Sequence, residues 1–551
     1  MGSQAESMIS PKEAKLMGSR IRSLQIAVTL VIAATAGVLT ASASSFKAGN
    51  LVRVTGASPF ASCTADNVAG QPGTVFLNSE VEPWVDVNPT NPKNIVGSVQ
   101  QDRWDNGGAR GLVAGVSFNG GKTWQTVVIP KITVCSGGTV ANGGDFKRAT
   151  DPWLSFSPNG HLYQFSLVLD IETPPGSEGG FGKNAMLVSK STDGGLTWSD
   201  PITVIRDESP RFLNDKNSIT ADPTDSNFVY AVWDRLDIPP GAVMNPENVF
   251  GLGFKGPVYF SRTTNGGQSW EPARQIYNPS GNNQTIGNQI VVRPDGTVIN
   301  FFNEILNFRN DDGGFQFDFN LALIRSTDKG ATWPTGPAIR AAKMQPRTLF
   351  TPPPFIGVYD PETGDPVRTE DAIPEVAVDS NNGNLYAVWQ DARFSNSGNF
   401  SNPALLIDEV AFAMSTDGGF TWSAPIKIDK TPSNIPLGNR QAFLPSVDVA
   451  ADGTIAVTYY DFRNNTSAPT LLTDYFVIHC HPSAGCTNPA SWGNEIRLTN
   501  TSFDMRQAPD ARGFFVGDYE GLASSGNEFL VFFSQPHGSD PSSVFFRRVG
   551  P

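Results

Sequence analysis

The chain has 551 residues, with a formal net charge of −13 and 17% charged residues. No run of five or more Lys/Arg occurs, so binding to nucleic acid by phosphate neutralisation is excluded as a leading reading. Gly (54) and Pro (42) are abundant and helical periodicity is absent after residue 50, which suits many short strands joined by turns.

In chain order, the first feature is a targeting segment. Arg20 and Arg22 precede an apolar run, residues 24–43, that ends in Ala41-Ser42-Ala43. A basic start, an apolar stretch and an A-x-A site predict a signal peptide over 1–43, with an uncleaved membrane anchor as the alternative. Either exports the rest of the chain, and no second run of spanning length exists. Residues 44–79 read as an N-terminal segment, and 80–551 as one repetitive domain.

Four cysteines agree with export: Cys63, Cys135, Cys480 and Cys486. Four cysteines allow three connectivities. A local Cys480–Cys486 bridge would leave Cys63 to tie the N-terminal segment to Cys135. Metal binding by His479, Cys480, His481 and Cys486 is the competing reading, and its spacing is not a standard zinc pattern. No metal or other cofactor is expected.

Five near-identical octads then recur: SFNGGKTW at 117–124, STDGGLTW at 191–198, TTNGGQSW at 263–270, STDKGATW at 326–333 and STDGGFTW at 415–422. Asp or Asn accepts backbone hydrogen bonds, glycine supplies positive φ, and Trp buries a large ring beneath the turn. Each octad follows an apolar strand-like run, so each predicts a strand–turn–strand unit. The Trp positions lie 63 to 89 residues apart, room for about four short strands per repeat.

A second repeat runs alongside: a short strand, a small turn and another strand. It recurs at 83–99, 152–165, 217–233, 289–302, 374–389, 445–460 and 519–533. The last unit stops one strand short. Residues 51–55 (LVRVT) read like the missing strand and would cover an exposed sheet edge.

The octads resemble the Asp box, or bacterial neuraminidase repeat, of the sialidase superfamily. The resemblance covers most of the chain after about residue 80. It implies an all-β propeller, here with seven four-stranded blades (six as the alternative) closed by the N-terminal strand. In that family the boxes lie on the outer rim and do no chemistry. Where most sialidases carry Arg-Ile-Pro, the nearest stretch of this chain reads VEPW at 81–84.

In such a fold the starts of inner strands and the ends of second strands share one mouth. Inner strands are expected to begin at Glu82, Asp151, Lys216, Asn288 and Asp518, and near Asp371 and Arg440. Second strands are expected to end at Asp102-Arg103, Asp234-Arg235, Glu304, Asp391 to Arg393 and Asp461 to Arg463. Arginine matches a carboxylate bidentately. The resemblance therefore implies Arg103, Arg235, Arg393 and Arg463 as a clamp for an acidic sugar, with Glu82 and Asp518 also lining the pocket. Asp102 or Asp151 would be the acid/base. Tyr519 with Glu520, or Tyr460, would supply the nucleophile. The same four Asp/Arg pairs also fit a structural reading, as repeated bridges that order loops.

The implied activity is that of a secreted, monomeric exo-α-sialidase-like glycoside hydrolase acting on a glycan. A non-catalytic glycan- or protein-binding propeller, or a polysaccharide lyase on the same scaffold, are the alternatives. No nucleic-acid partner is expected, and no membrane contact beyond a possible N-terminal anchor.

Overall fold

Alternating apolar residues punctuated by Gly, Asp and Asn fold as antiparallel strands. The computed structural model describes residues 46–172, 180–238, 255–309, 315–349, 355–369, 373–400 and 402–551. Contacts within the chain set 1–44 apart from 45–551. The expected targeting segment lies outside the described residues. Regular elements among those described are β-strands and short 3₁₀ turns.

The strands fall into four-stranded antiparallel units. The first holds Glu80–Val87, Ile95–Arg103, Ala109–Ser117 and Gln125–Val128. It joins the second (Arg148–Phe156, Leu162–Glu172, Gly180–Ser191, Ile202–Asp207) through the single pair Ala109–Ala149. The third begins with Phe212–Ala221, the fourth with Gln284–Val292, the fifth with Glu375–Val378 and the sixth with Ala442–Val449. The last unit holds Gly521–Ser525, Glu528–His537 and Asp540–Gly550. Its outer edge is covered from the other end of the chain, by Val52–Arg53 opposite Phe546 and Phe545 and by Lys47–Ala48 opposite Gly550 and Val549.

A belt of side-chain hydrogen bonds links each unit to the next. Asp86 accepts from the Phe156 N–H at 2.7 Å, and Ser155 from Ala221 at 3.1 Å. Thr220 donates to the Ile290 carbonyl at 2.8 Å, and Gln289 to the Glu375 carboxyl at 2.9 Å. Gln390, on the fifth unit's second strand, accepts from Leu444 at 2.9 Å, and Ser446 donates to the Glu520 carbonyl at 2.7 Å. Ser542 of the last unit donates back to the Glu80 carbonyl of the first at 2.7 Å. Hydrogen bonds thus join each unit to the next and the last to the first.

All five octads form the same turn. The leading Ser/Thr hydroxyl accepts from the shared glycine N–H at 2.9 Å in every copy. The Asp/Asn oxygen accepts from the N–H two residues after that glycine, at 2.9–3.0 Å. Gly121 sits at φ 85°, and a Cβ there would fall 2.0 Å from the Phe546 ring, so both the turn and the packing demand glycine. Box tryptophans pack on the preceding unit: Trp124 on Phe546, Trp333 on Phe260 and Trp422 on Phe301, with ring centroids 5.0–5.8 Å apart. The sixth unit has no octad. There the Cys480–Cys486 disulfide closes the turn, and Trp492 packs on Phe412 at 4.8 Å. That bond takes both thiols out of the metal reading of His479, Cys480, His481 and Cys486. The other disulfide joins Cys63 to Cys135.

Buried carboxyls along the belt make stability depend on pH. Burial raises Glu375 from 4.5 to about 8 and Glu80 from 4.5 to about 7. Burial likewise raises Asp86 from 3.8 to about 7 and Asp448 from 3.8 to about 6. Each binds its proton more readily folded than unfolded. Each therefore adds stability that is complete below its unfolded value and is lost as pH rises through its folded value. The melting temperature is expected to fall from about pH 5 to about pH 8. Glu375→Gln should flatten part of that slope; a curve that rises over the same window would contradict this account.

Candidate functional site

Five first strands carry the same irregularity. Their ladders slip between Val81 and Trp84, Thr150 and Trp153, Asp215 and Ser218, Ile286 and Gln289, and Phe443 and Ser446. Within each bulge one residue has positive φ: Glu82 (53°), Asp151 (51°), Lys216 (45°), Gly287 (67°) and Leu444 (49°). In the fourth unit glycine takes this conformation freely. In the first three a charged residue takes it at a cost of about 1–2 kcal/mol. Strain retained at three charged positions that glycine could fill points to a use for those side chains. The bulges also explain why the strands start earlier than expected, at Glu80, Arg148 and Phe212: the ladder resumes on the far side.

Glu82, Asp151 and Lys216 line one cavity of about 60 Å³ together with Arg103, Asp215 and Arg368. Arg103 ends the first unit's second strand. Arg368 arrives from outside the repeats, on Val367–Arg368, which pairs in parallel with Phe514–Phe515. Its Nη2 meets Asp518 at 2.6 Å, and Lys216 Nζ meets the same carboxylate. Both guanidinium groups lie over the Phe515 ring, Arg103 at 4.9 Å and Arg368 at 4.5 Å.

The charges sort themselves. Burial, and then the charges of Asp151 and Asp518, push Glu82 well above the usual carboxylate range. Burial would raise Asp518 too, but Arg368 and Lys216 outweigh it and hold that carboxyl below its ordinary value. The two share a hydrogen bond. Protonated Glu82 is thus the donor and ionised Asp518 the acceptor. Asp151 accepts from the Thr150 hydroxyl at 2.7 Å and the Lys216 N–H at 3.2 Å. Burial and the neighbouring Arg368 lower Arg103. The result is a carboxyl that retains its proton, a second carboxyl that does not, Asp151 and two guanidinium groups around one small space.

The other sequence-predicted residues lie elsewhere. Arg235 is held by Asp207 (Nε at 3.2 Å) and stacks over Phe212 at 3.8 Å. Arg393 pairs with Asp391 at 2.7 Å and also donates to the Lys343 carbonyl. Arg463 pairs with Asp461 at 2.6 Å and Glu495 at 2.5 Å. Of the four expected clamp arginines only Arg103 reaches the cavity, because the other three are held by these carboxylates. Asp102 turns away from Glu82, accepting from Ser58 at 2.6 Å and the Asn78 N–H at 2.9 Å. Glu304 takes a hydrogen bond from Tyr277 and pairs with Arg340.

Tyr519 and Glu520 are adjacent in sequence, at a bend just before Gly521–Ser525, yet their side chains meet different partners. The Tyr519 hydroxyl donates to the Pro152 carbonyl at 3.1 Å, beside the stacked Trp84 and Trp153 rings. Glu520 accepts from the Ser534 N–H at 3.0 Å and shares a hydrogen bond with Tyr460, whose hydroxyl donates to the Ser534 carbonyl at 2.6 Å. Tyr460 and Glu520 do meet, but inside the packed core, where burial raises both. Asp371 lies outside the described residues.

Sequence reasoning missed Arg368 and Asp215. Arg368 belongs to an insertion between the fourth and fifth units and carries no repeat signal. Asp215 had one: Asp215-Lys216 occupies the bulge register of Thr150-Asp151 and Val81-Glu82.

The chain matches no protein-family model, and no curated protein is similar to it in sequence. Solved structures similar to it include a protein of unknown function from Dyadobacter fermentans (13% identity over 92% of this chain and 99% of that one, TM-score 0.42). A Hadza microbial sialidase is 13% identical over 83% of this chain and 73% of its own, with a TM-score of 0.42. An α-L-arabinanase from Penicillium chrysogenum, solved with arabinobiose, is 11% identical over 91% and 98%, with a TM-score of 0.41. Likeness of that order carries no argument about chemistry.

Proposed function

We propose that this chain is an exported glycoside hydrolase acting at a terminal acidic sugar of a glycan, on a seven-bladed β-propeller closed by its N-terminal strand. Residues 1–43 would be the export signal, 44–79 the closing segment and 80–551 the propeller. The hydrogen bonds that join each unit to the next and the five Asp boxes support the architecture. The observation that carries the function is the buried Glu82 hydrogen-bonded to Asp518, beside a cavity that Asp151 and two arginines also line.

In this reading Glu82 gives its proton to the leaving-group oxygen. Asp151, oriented by Thr150 and the Lys216 N–H, is the second carboxylate and acts on the anomeric carbon or its attacking water. Arg103 meets the sugar carboxylate, and Arg368, through Nε and Nη2, fixes the Asp518 carboxylate beside Glu82. Asp518 orients the Glu82 proton and stays ionised through Lys216 and Arg368. This is a two-carboxylate scheme, and it leaves Tyr519 as a packing residue.

Release of fluorophore from glycosides of sialic acid, hexuronic acids and neutral sugars tests the reading. Turnover of an acidic glycoside is expected. Turnover confined to neutral sugars would remove the arginine clamp. A second reading, a propeller that binds acidic glycans without cleaving them, is favoured by the capture of Arg235, Arg393 and Arg463 in ion pairs. Saturable binding with no turnover would select it.

A further inference from the structure

The first strands enclose a second cavity, of about 330 Å³, further along their length than the site above. The stacked Trp84–Trp153 pair (ring centroids 3.4 Å apart) forms one wall, and Ile290 and Val376 contribute apolar surface. Tyr519 packs against that pair, with centroids at 6.0 Å from Trp84 and 5.2 Å from Trp153. Its size matches small-molecule pockets, roughly 300–1,000 Å³, and its lining is polar and apolar in about equal measure.

Its charge is the reverse of the mouth's. Asp86 and Asp448 both line it, and of the described residues that line it from all the first strands they alone ionise. No Lys, Arg or His is among them, whereas the mouth holds Arg103, Lys216, Arg368 and Arg512. Asp448 lies close enough to Asp86 for its charge to raise that carboxyl further, beyond the effect of burial. Neither acid has a basic neighbour that offsets its burial. The cavity is therefore short of positive charge.

Asp86 already accepts at both oxygens, from Val87 and Phe156, each at 2.7 Å. Asp448 accepts from Val449 and Ser524. What the cavity offers is negative charge beside two indole rings. A quaternary ammonium needs just that: it donates no hydrogen bond and is drawn to aromatic faces and carboxylates. A hard metal ion would instead need about six or more oxygen ligands.

We propose that this channel binds a small quaternary ammonium compound between Asp86 and Asp448, against the Trp84–Trp153 wall. Isothermal titration of the protein with choline tests it, with the uncharged isostere 3,3-dimethylbutan-1-ol and calcium chloride as comparators. Choline should bind saturably, at least tenfold more tightly than the isostere. Its affinity should fall from pH 8 to pH 5 as the two acids take up protons. The Asp86→Asn/Asp448→Asn double variant should lose at least tenfold in affinity. If that double variant fails to fold, Asp448→Asn alone should lose severalfold, since the buried amide retains one of its acceptor contacts. Equal binding of the isostere, calcium binding in place of choline, unchanged affinity in a folded variant, or no saturable binding would each overturn the proposal.

Discussion

Glu82→Gln is expected to lower kcat on an acidic glycoside by about 10²–10⁴-fold, the range of a lost general acid. The substitution keeps the size of the side chain, and its amide can still donate to Asp518, so binding of substrate should change little. The fold should hold. Ionisation of Glu82 is opposed by burial and by Asp151 and Asp518, so a side chain that never ionises removes an unfavourable state. At pH 8 the variant should melt no lower than the parent. The pH profile separates chemistry from packing. Activity of the parent should decline as pH rises through the raised value of Glu82, because the proton it must give is gone, and the residual activity of the variant should lack that basic limb. Tyr519→Phe provides the contrast: it removes a hydroxyl that serves the Pro152 carbonyl, so turnover should stay within a few-fold while stability drops by about 1 kcal/mol. Full activity in Glu82→Gln, or collapse in Tyr519→Phe alone, would reverse the assignment of roles.

The comparison of sequence with structure turns on what repeats. The octads were legible because a turn that binds its own backbone is local, and the same hydroxyl, carboxylate and glycine rebuild it at every copy. The pairing of Val52–Arg53 with Phe546 and Phe545 has a local cause, since an edge strand needs covering and 51–55 alternates as a strand does. Glu82, Asp151 and Asp518 were legible as the charged residues at the heads of first strands. The arginine clamp was not, because the Asp/Arg pairs recur at equivalent positions but their surroundings do not. Arg235 finds Asp207 on the neighbouring unit, Arg463 finds Glu495 on its own, and only Arg103 lacks such a carboxylate and turns to the cavity. Arg368 could not be placed, since two residues of parallel pairing with Phe514–Phe515 set its position and no periodicity announces them. Tyr519 and Glu520 show the limit of adjacency: at the bend before Gly521–Ser525 one side chain reaches the Pro152 carbonyl and the other the Ser534 N–H, so a pair in sequence is a poor guide to a pair in space.

Arg110→Met is expected to destabilise the protein by about 3–5 kcal/mol, the penalty for breaking one side of a buried ion pair. Arg110 lies on the third strand of the first unit and holds the N-terminal segment in place. Its Nε reaches Asp66 at 2.7 Å, its Nη1 the Phe60 carbonyl at 2.9 Å and its Nη2 the Cys63 carbonyl at 2.6 Å. Asp66 is fully buried, so removal of the guanidinium leaves a carboxylate and two carbonyls without their donor. The Cys63–Cys135 bond still tethers the segment, which should confine the damage to packing rather than detach it. The effect should nonetheless reach the site. Gln71 of the same segment accepts from Arg148 Nε at 2.8 Å, and Arg148 donates to Asn106 and Gly107 at 2.6 and 2.8 Å. Asn106 and Gly107 line the cavity with Glu82 and Arg103. Arg110→Met should therefore raise KM more than it lowers kcat, in addition to moving the urea midpoint. Pairing it with Asp66→Asn should recover part of the stability, because the second change removes the stranded charge. If the double variant proves no more stable than Arg110→Met, the ion pair is not what fastens the segment, and the disulfide alone must carry that role.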